Sequence, residues 1–175
     1  MIDGFEICET ASGDMASIEK LYPDAFPEED LLSLVNELLG EGSIVLSLAG
    51  SVDRTLVGHV IFTPCSVPGR TEEVSLLAPL AVSPAWQRRG IGSALVREGL
   101  RRLKNAGVVR VYVLGDPAYY GRLGFEPEAD VMPPYPLPDE WQGAWQSIGL
   151  CQIEHPLHGR LSVPQPWQQP VLWAP

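Results

Sequence analysis

The chain has 175 residues, 45% of them hydrophobic and 19% charged, with a net charge of −10. This is the make-up of a folded domain with a sizeable core, and it excludes a disordered polar chain. No apolar run approaches the ~18 residues of a spanning helix, the first residues lack the basic start and apolar stretch of a secretory leader, and so acidic a surface argues against nucleic acid as a partner.

In chain order, Phe5–Thr10 reads as a first strand. Asp14 is placed to cap a helix running to about Tyr22, with Met15, Ile18 and Leu21 on one face. Pro27 and the carboxylates Glu28, Glu29 and Asp30 have the composition of a first helical turn and predict a second helix to about Leu39, stopped by Gly40. Ser43–Ala49 and Leu56–Cys65 are expected as antiparallel strands joined through Gly50, Ser51, Val52 and Asp53. A loop with Pro68 and Gly69 leads to a strand over Glu73–Val82. Gly90–Asn105 is helical, with Ile91, Leu95, Val96, Leu100 and Leu103 as its buried stripe and Gly107 as its stop. Val108–Leu114 is nearly all apolar, as a strand covered on both faces is. Pro117–Leu123 is a short helix or turn, and Gly124-Phe125 begins another extended segment.

The last third differs in character. Ten of the seventeen prolines lie at Pro127 or beyond, as do Trp141, Trp145, Trp167 and Trp173 of the five tryptophans. So many large rings argue for a layer packed over the domain or for a homodimer contact. Ser147–Glu154 and Gly159–Val163 read as two further strands joined near Pro156. No internal repeat or second boundary is visible. The expectation is one mixed α+β domain over 1–175, with a core at about 1–126 and a Pro/Trp-rich part, 127–175, that completes or caps the sheet.

Chemistry is concentrated where the strand ending at Val82 passes through Ser83-Pro84 into Gln87-Arg88-Arg89-Gly90-Ile91-Gly92. A helix N-terminus presents unpaired N–H groups and a positive dipole end, and glycines there let a phosphate approach the backbone. A P-loop requires a Lys after its second glycine, and Gly92 is followed by Ser93. A dinucleotide fingerprint requires a third glycine where Leu95 stands and an acidic residue near Arg110. The run instead resembles the acetyl-CoA motif of the GNAT superfamily of N-acetyltransferases, [QR]-x-x-G-x-[GA]. A second block, Asp116-Pro117-Ala118-Tyr119-Tyr120 followed by Gly124-Phe125, resembles that family's later signature of a tyrosine four residues before Gly-Phe. The likeness spans about residues 5–125 and is most specific over 76–125. With Leu114-Gly115 in front of the second block, it is nearest to a bacterial branch of predicted N-acetyltransferases.

The resemblance implies a GNAT-like acyl-CoA N-acyltransferase fold, a mixed central sheet flanked by helices, and transfer of an acetyl group from acetyl-CoA, as co-substrate, to a primary amine of a small molecule or peptide. It implies that the CoA diphosphate lies against main-chain N–H groups from Arg88 through Arg89, Gly90, Ile91 and Gly92 to Ser93, in the loop that Gln87 opens. Leu80, Ala81 and Val82 would pair with the pantetheine arm and offer an N–H to the thioester carbonyl. Tyr120 would be the general acid for the departing thiolate. Many members carry an Asn seven residues before that tyrosine, and here the position is Val113. A non-catalytic acyl-CoA sensor is the alternative reading of the same motif.

Other features are less specific. Glu72, Glu73, His59 and Asp116 are candidate general bases, with relay through water as the alternative. His155-x-x-His158 lacks the spacing and partners of a zinc site, so no metal is expected. The cations from Arg97 to Lys104 read as a solvated helix face. Residues 1–50 hold eleven carboxylates and Lys20 alone as a cation; these are either solubilising charge or part of a pocket for a cationic acceptor. Cys8, Cys65 and Cys151 form no C-x-x-C pair. They suit a reduced, cytoplasmic protein, with Cys65 and Cys151 read as buried thiols.

Overall fold

The computed structural model describes residues 2–40 and 42–174. The order of elements is β1 (Phe5–Glu9), α1 (Met15–Ala25), α2 (Leu32–Leu38), β2 (Leu46–Val52), β3 (Thr55–Cys65), β4 (Val74–Val82), α3 (Ile91–Asn105), β5 (Arg110–Leu114), α4 (Pro117–Gly121), β6 (Glu126–Pro127), β7 (Val131–Met132), β8 (Trp145–Gly149) and β9 (Gly159–Arg160), with short 3-10 turns between them. Seven strands form a mixed sheet in the order β1-β2-β3-β4-β5-β8-β6, and β7 pairs separately with β9. This is the expected α+β architecture. Among the described residues no helix is long and apolar enough to cross a membrane. The chain divides into two compact units, Met1–Phe62 with Ala78–Arg101 and Thr63–Leu77 with Arg102–Pro175.

In the first unit, β1, β2 and β3 form an antiparallel meander. Successive residues of β3 point to opposite faces, and each face takes a helix. Gly58 and Phe62 face α3: a Cβ on Gly58 would lie 2.9 Å from Leu95 Cδ1 and 3.0 Å from Ile91 Cγ2, and one on Gly99 would collide with the Phe62 ring. These glycines let α3 lie close to the strand, and Ile91, Leu95 and Val96 of that helix are buried. His59 faces the other way, where Tyr22 of α1 meets it.

In the second unit β5 is the central strand. It runs parallel to the first residues of β4, Val74–Leu76 matching Arg110–Tyr112, and antiparallel to β8. Val111, Tyr112 and Val113 are all buried, as a strand covered on both faces requires. Three of the four tryptophans of the C-terminal third complete this unit's own core: Trp145, Trp167 and Trp173 are buried, and Trp141 is half-buried. Trp145 stacks on Tyr112 and meets Trp173, which meets Trp167, with centroids 5.6, 5.8 and 5.9 Å apart. Every indole N–H in this cluster has an acceptor: the carbonyls of Val131 and Trp167 and the hydroxyl of Thr63.

Several local expectations are corrected. The β2–β3 turn is at Asp53 and Arg54, both left-handed at φ 48° and 71°, the backbone that suits a two-residue hairpin. Gly50 lies inside β2, where a Cβ would stand 3.0 Å from the Phe5 ring; it is a packing glycine and not a turn glycine. Asp14 stands at the N-cap position of α1, as expected, but its carboxylate makes no bond to that helix; it accepts from Ala11 N at 2.8 Å and closes the 3-10 turn that precedes it. Helix α2 starts at Leu32 rather than at Pro27, after Asp30 has taken both the N–H and the hydroxyl of Ser33. The segments read as strands at 147–154 and 159–163 are not partners. β8 ends at Gly149 on β5, and β9 joins β7 in a two-stranded parallel pair. Cys151 is exposed and Cys65 half-buried.

Candidate functional site

The residues singled out at 80–93 all belong to the first unit. Along β4, Ala81 is buried while Leu80 and Val82 are half-buried. Beyond the strand, Ser83 N donates to Val57 O at 2.8 Å, which anchors the outgoing loop to β3. Pro84–Trp86 forms a 3-10 turn, and the Gln87 side chain folds back so that Nε2 donates to Val82 O at 3.1 Å. A glutamine at this place is therefore a brace across the loop. A shorter amide would not span five residues of turn.

The chain then enters α3 through two left-handed residues, Arg88 at φ 63° and Gly90 at φ 85°. For a residue with a Cβ this backbone is unfavourable by about 1 kcal/mol, so Arg88 is held there by its surroundings. Nothing lies within 4 Å of a Cβ built on Gly90, and the space beside the loop is open. Ala94 N makes a helical bond to Gly90 O at 3.0 Å, so the N–H groups of Ile91 and Gly92 point out of the helix end. The Ile91 side chain is buried, and the residue contributes to the loop only through its main chain. Arg88 and Arg89 are exposed, and the Arg89 guanidinium lies 4.8 Å above the Trp86 ring. The loop thus combines outward N–H groups, a helix dipole and two cations, a set suited to a diphosphate.

Tyr120 belongs to the second unit, on α4. Asp116 caps that helix by accepting from Ala118 N at 2.9 Å, and Tyr120 N donates to Asp116 O at 3.0 Å. After one turn Gly124 takes φ 99°, and the chain folds back so that Phe125 N donates to Tyr120 O and the two rings meet at 5.6 Å. The four-residue spacing between the tyrosine and Gly-Phe is the length of this cap, turn and return. A side chain on Gly115 would collide with the Tyr120 ring. Burial, with a smaller effect from Tyr119, raises the phenol above its ordinary pKa, so it keeps its proton at neutral pH.

The candidate bases are differently placed. His59 is fully enclosed between Tyr22 and Ser47. Glu72 is paired with Arg70 at 2.6 Å, and that hydrogen bond lowers its pKa. Asp116 is engaged as the α4 cap, and Glu73 is exposed. His155 and His158 join no group of three metal-binding side chains among the described residues. The cation-rich face of α3 is partly self-paired, with Arg101 on Glu98 at 2.6 Å.

Sequence reasoning missed Gln146. It stands opposite Val113 across the β5–β8 register, is 1% exposed, and donates from Nε2 to Gly115 O at 3.1 Å. It fixes the turn that delivers Tyr120. Its role arises from a pairing between strands 33 residues apart and leaves no local signal.

A model of the acetyltransferase (GNAT) family matches residues 15–125. The Escherichia coli (strain K12) protein named uncharacterized N-acetyltransferase YjhQ is 34% identical over 164 residues, which cover 90% of this chain and 91% of that protein. Among solved structures, the GNAT family N-acetyltransferase YhbS from Escherichia coli, in complex with CoA, superposes with a TM-score of 0.84 at 29% identity, covering 94% of this chain and 92% of that one. A GNAT family acetyltransferase from Brucella melitensis, in complex with acetyl-CoA, superposes with a TM-score of 0.74 at 27% identity, covering 94% and 98%.

Proposed function

The chain belongs to the GNAT family of acetyltransferases and is an acetyl-CoA-dependent acyltransferase, and on that premise we propose that it transfers acetyl to a primary amine of a small molecule or peptide by direct attack in a ternary complex. The observation that carries the donor half is the loop from Gln87 to Gly92. Its brace on Val82 O, its left-handed Arg88 and Gly90 and the helix N-terminus that follows support a diphosphate site here. The CoA and acetyl-CoA held by the two structural relatives support the same ligand here.

In this reading the N–H groups from Arg88 to Ser93 bind the diphosphate, and Arg88 and Arg89 balance its charge. The main chain of Leu80, Ala81 and Val82 pairs with the pantetheine arm and polarises the thioester carbonyl. Holding amine and thioester together removes much of the entropic barrier. The amine nitrogen forms a C–N bond to the acetyl carbon, the C–S bond breaks, and the departing sulfur takes the Tyr120 proton. The amine releases its own proton to solvent, from which the phenol is restored. The engagement of His59, Glu72 and Asp116 elsewhere favours water over a dedicated base for that last transfer.

The test is incubation with acetyl-CoA and a library of primary amines, following free thiol and N-acetyl product together. Thiol release matched by N-acetylated product on at least one amine is expected. Product formed only on hydroxyl acceptors, or tight CoA binding with no product on any acceptor, overturns the proposal.

A further inference from the structure

In the second unit, β5, β8 and the segment from Glu126 to Asp130 wall a cavity of about 810 Å³, a volume in the range of small-molecule sites. Tyr112 lines it and is 0% exposed, and its hydroxyl is the one buried side-chain polar atom without a hydrogen-bond partner among the described residues. An orphaned buried hydroxyl is costly to keep in a folded protein. The ring cannot turn the group elsewhere, because it lies flat on Trp145 with an interplanar angle of 11°. Burial first, then the nearby Glu128, keeps the phenol above its ordinary pKa, against the opposing effect of Arg110. It is therefore protonated at neutral pH and has lone pairs to offer.

The charged lining is one guanidinium, Arg110, against the three carboxylates of Glu126, Glu128 and Asp130. Part of this set is closed upon itself. Arg110 donates to Ser147 Oγ at 2.8 Å, Ser147 donates to Glu128 Oε1 at 2.5 Å, and the other oxygen of Glu128 accepts from Asp130 N and Val131 N at 2.9 and 2.8 Å. The Arg110 and Glu128 charges oppose each other at 3.9 Å. The unbalanced charge of the cavity is that of Glu126 and Asp130, with His158 3.9 Å from Asp130 at the exposed rim. Ile153 and Leu157 supply apolar wall.

We propose that this cavity binds a small organic cation, a primary ammonium on a short apolar body, whose N–H is accepted by the Tyr112 hydroxyl and whose charge is met by Glu126 and Asp130. Three carboxylates against one already engaged guanidinium favour a cation over a carboxylate ligand, and the apolar wall favours a carbon chain over a bare ion. None of these residues has a part in the proposed acetyl transfer, and the site stands or falls independently of it.

Calorimetry on the full chain without acetyl-CoA tests the assignment, with n-pentylammonium as probe and pentanol and pentanoate as controls. The ammonium is expected to bind at least about tenfold more tightly than either control. Tyr112→Phe, which deletes only the orphaned hydroxyl, should weaken it about tenfold while its own unfolding midpoint holds or rises. Asp130→Asn should weaken the ammonium and leave pentanol unchanged. Equal binding of the three probes, tighter binding of pentanoate, no binding of the ammonium, or wild-type affinity in Tyr112→Phe overturns the proposal. A fall in the midpoint of Tyr112→Phe also overturns it, since the hydroxyl would then have had a water partner. Tyr120→Phe is expected to bind the probe like the parent. In the parent, probe binding without acetylation of any amine counts against the proposed function alone, and acetylation without probe binding counts against this site alone.

Discussion

Tyr22 Oη lies 2.7 Å from His59 Nδ1, and on the far side of the ring Ser47 Oγ lies 2.7 Å from Nε2. The line continues to Thr10 Oγ1, 2.6 Å from Ser47 Oγ, so one row of polar contacts ties the end of β1 to α1, β2 and β3. A neutral imidazole offers one donor and one acceptor, and hydroxyls on both sides rotate to match either tautomer. Burial drives the His59 pKa down to about 4, although Asp14 pulls the other way. The ring is a structural clasp rather than a catalytic base.

A pH dependence follows from that shift. Between about pH 4 and 6.5 the unfolded chain binds a proton at this ring and the folded chain does not, so stability rises with pH through that window. The contribution is complete above pH 6.5 and is lost as the pH falls toward 4, by about 3 kcal/mol. Urea unfolding at pH 7 and pH 4 should show a larger loss in the parent than in His59→Gln. Parallel losses in the two proteins would show that His59 is not the group responsible.

Tyr120→Phe should lower kcat about 100-fold or more, the range ascribed to a positioned general acid, and leave acetyl-CoA affinity and thermal stability nearly unchanged. Single-turnover kinetics with a competent amine, beside a direct CoA titration, separate the two effects. Unchanged turnover would remove Tyr120 from the mechanism.

Gly115→Ala puts a methyl group into the Tyr120 ring. The expected loss of stability is about 1–3 kcal/mol, as for other overpacked sites, with a fall in kcat and little change in CoA binding. In a double-mutant cycle the kcat effects of Gly115→Ala and Tyr120→Phe should overlap strongly, because both act through one phenol. Fully additive effects would assign Gly115 a separate role.

Arg88→Gly separates charge from backbone in the diphosphate loop. Relief of the left-handed strain gains about 1 kcal/mol, and the freer unfolded chain gives back about 0.5–1 kcal/mol. Stability should therefore stay within about 0.5 kcal/mol of the parent. CoA affinity should fall severalfold, and the fall should shrink at high salt as screening removes the lost charge from the comparison. Salt-independent weakening would point to loop geometry in place of charge.

What the amino-acid sequence makes legible is mostly local. The stripe of Ile91, Leu95, Val96, Leu100 and Leu103 on α3 is buried as its spacing demands. The distance from Tyr120 to Gly124-Phe125 is that of one capped turn and a left-handed return. Glycine and proline misled where they serve packing or loop entry. Gly50 makes room for Phe5 inside a strand, and Pro27 lies in a turn ahead of the Asp30–Ser33 contact. The hairpin turn went unread because Asp53 and Arg54 carry it without a glycine. The contacts that stayed hidden, His59 with Tyr22, Gln146 with Gly115 and Arg110 with Ser147, join residues 31 to 37 apart. Strand register creates them, and register is a property of the whole sheet.

The arginine resting over Trp86 has an experimental consequence of its own. Trp86 is the sole tryptophan of the first unit, the other four lying between positions 141 and 173. It stands in the turn that leads into Gln87, and a cation covers its ring. Any anion that draws Arg89 away from the indole changes the electrostatic field at a single fluorophore. The loop therefore carries an intrinsic optical reporter of donor binding, and comparison of the parent with Trp86→Phe isolates its share of the emission in real time without a label.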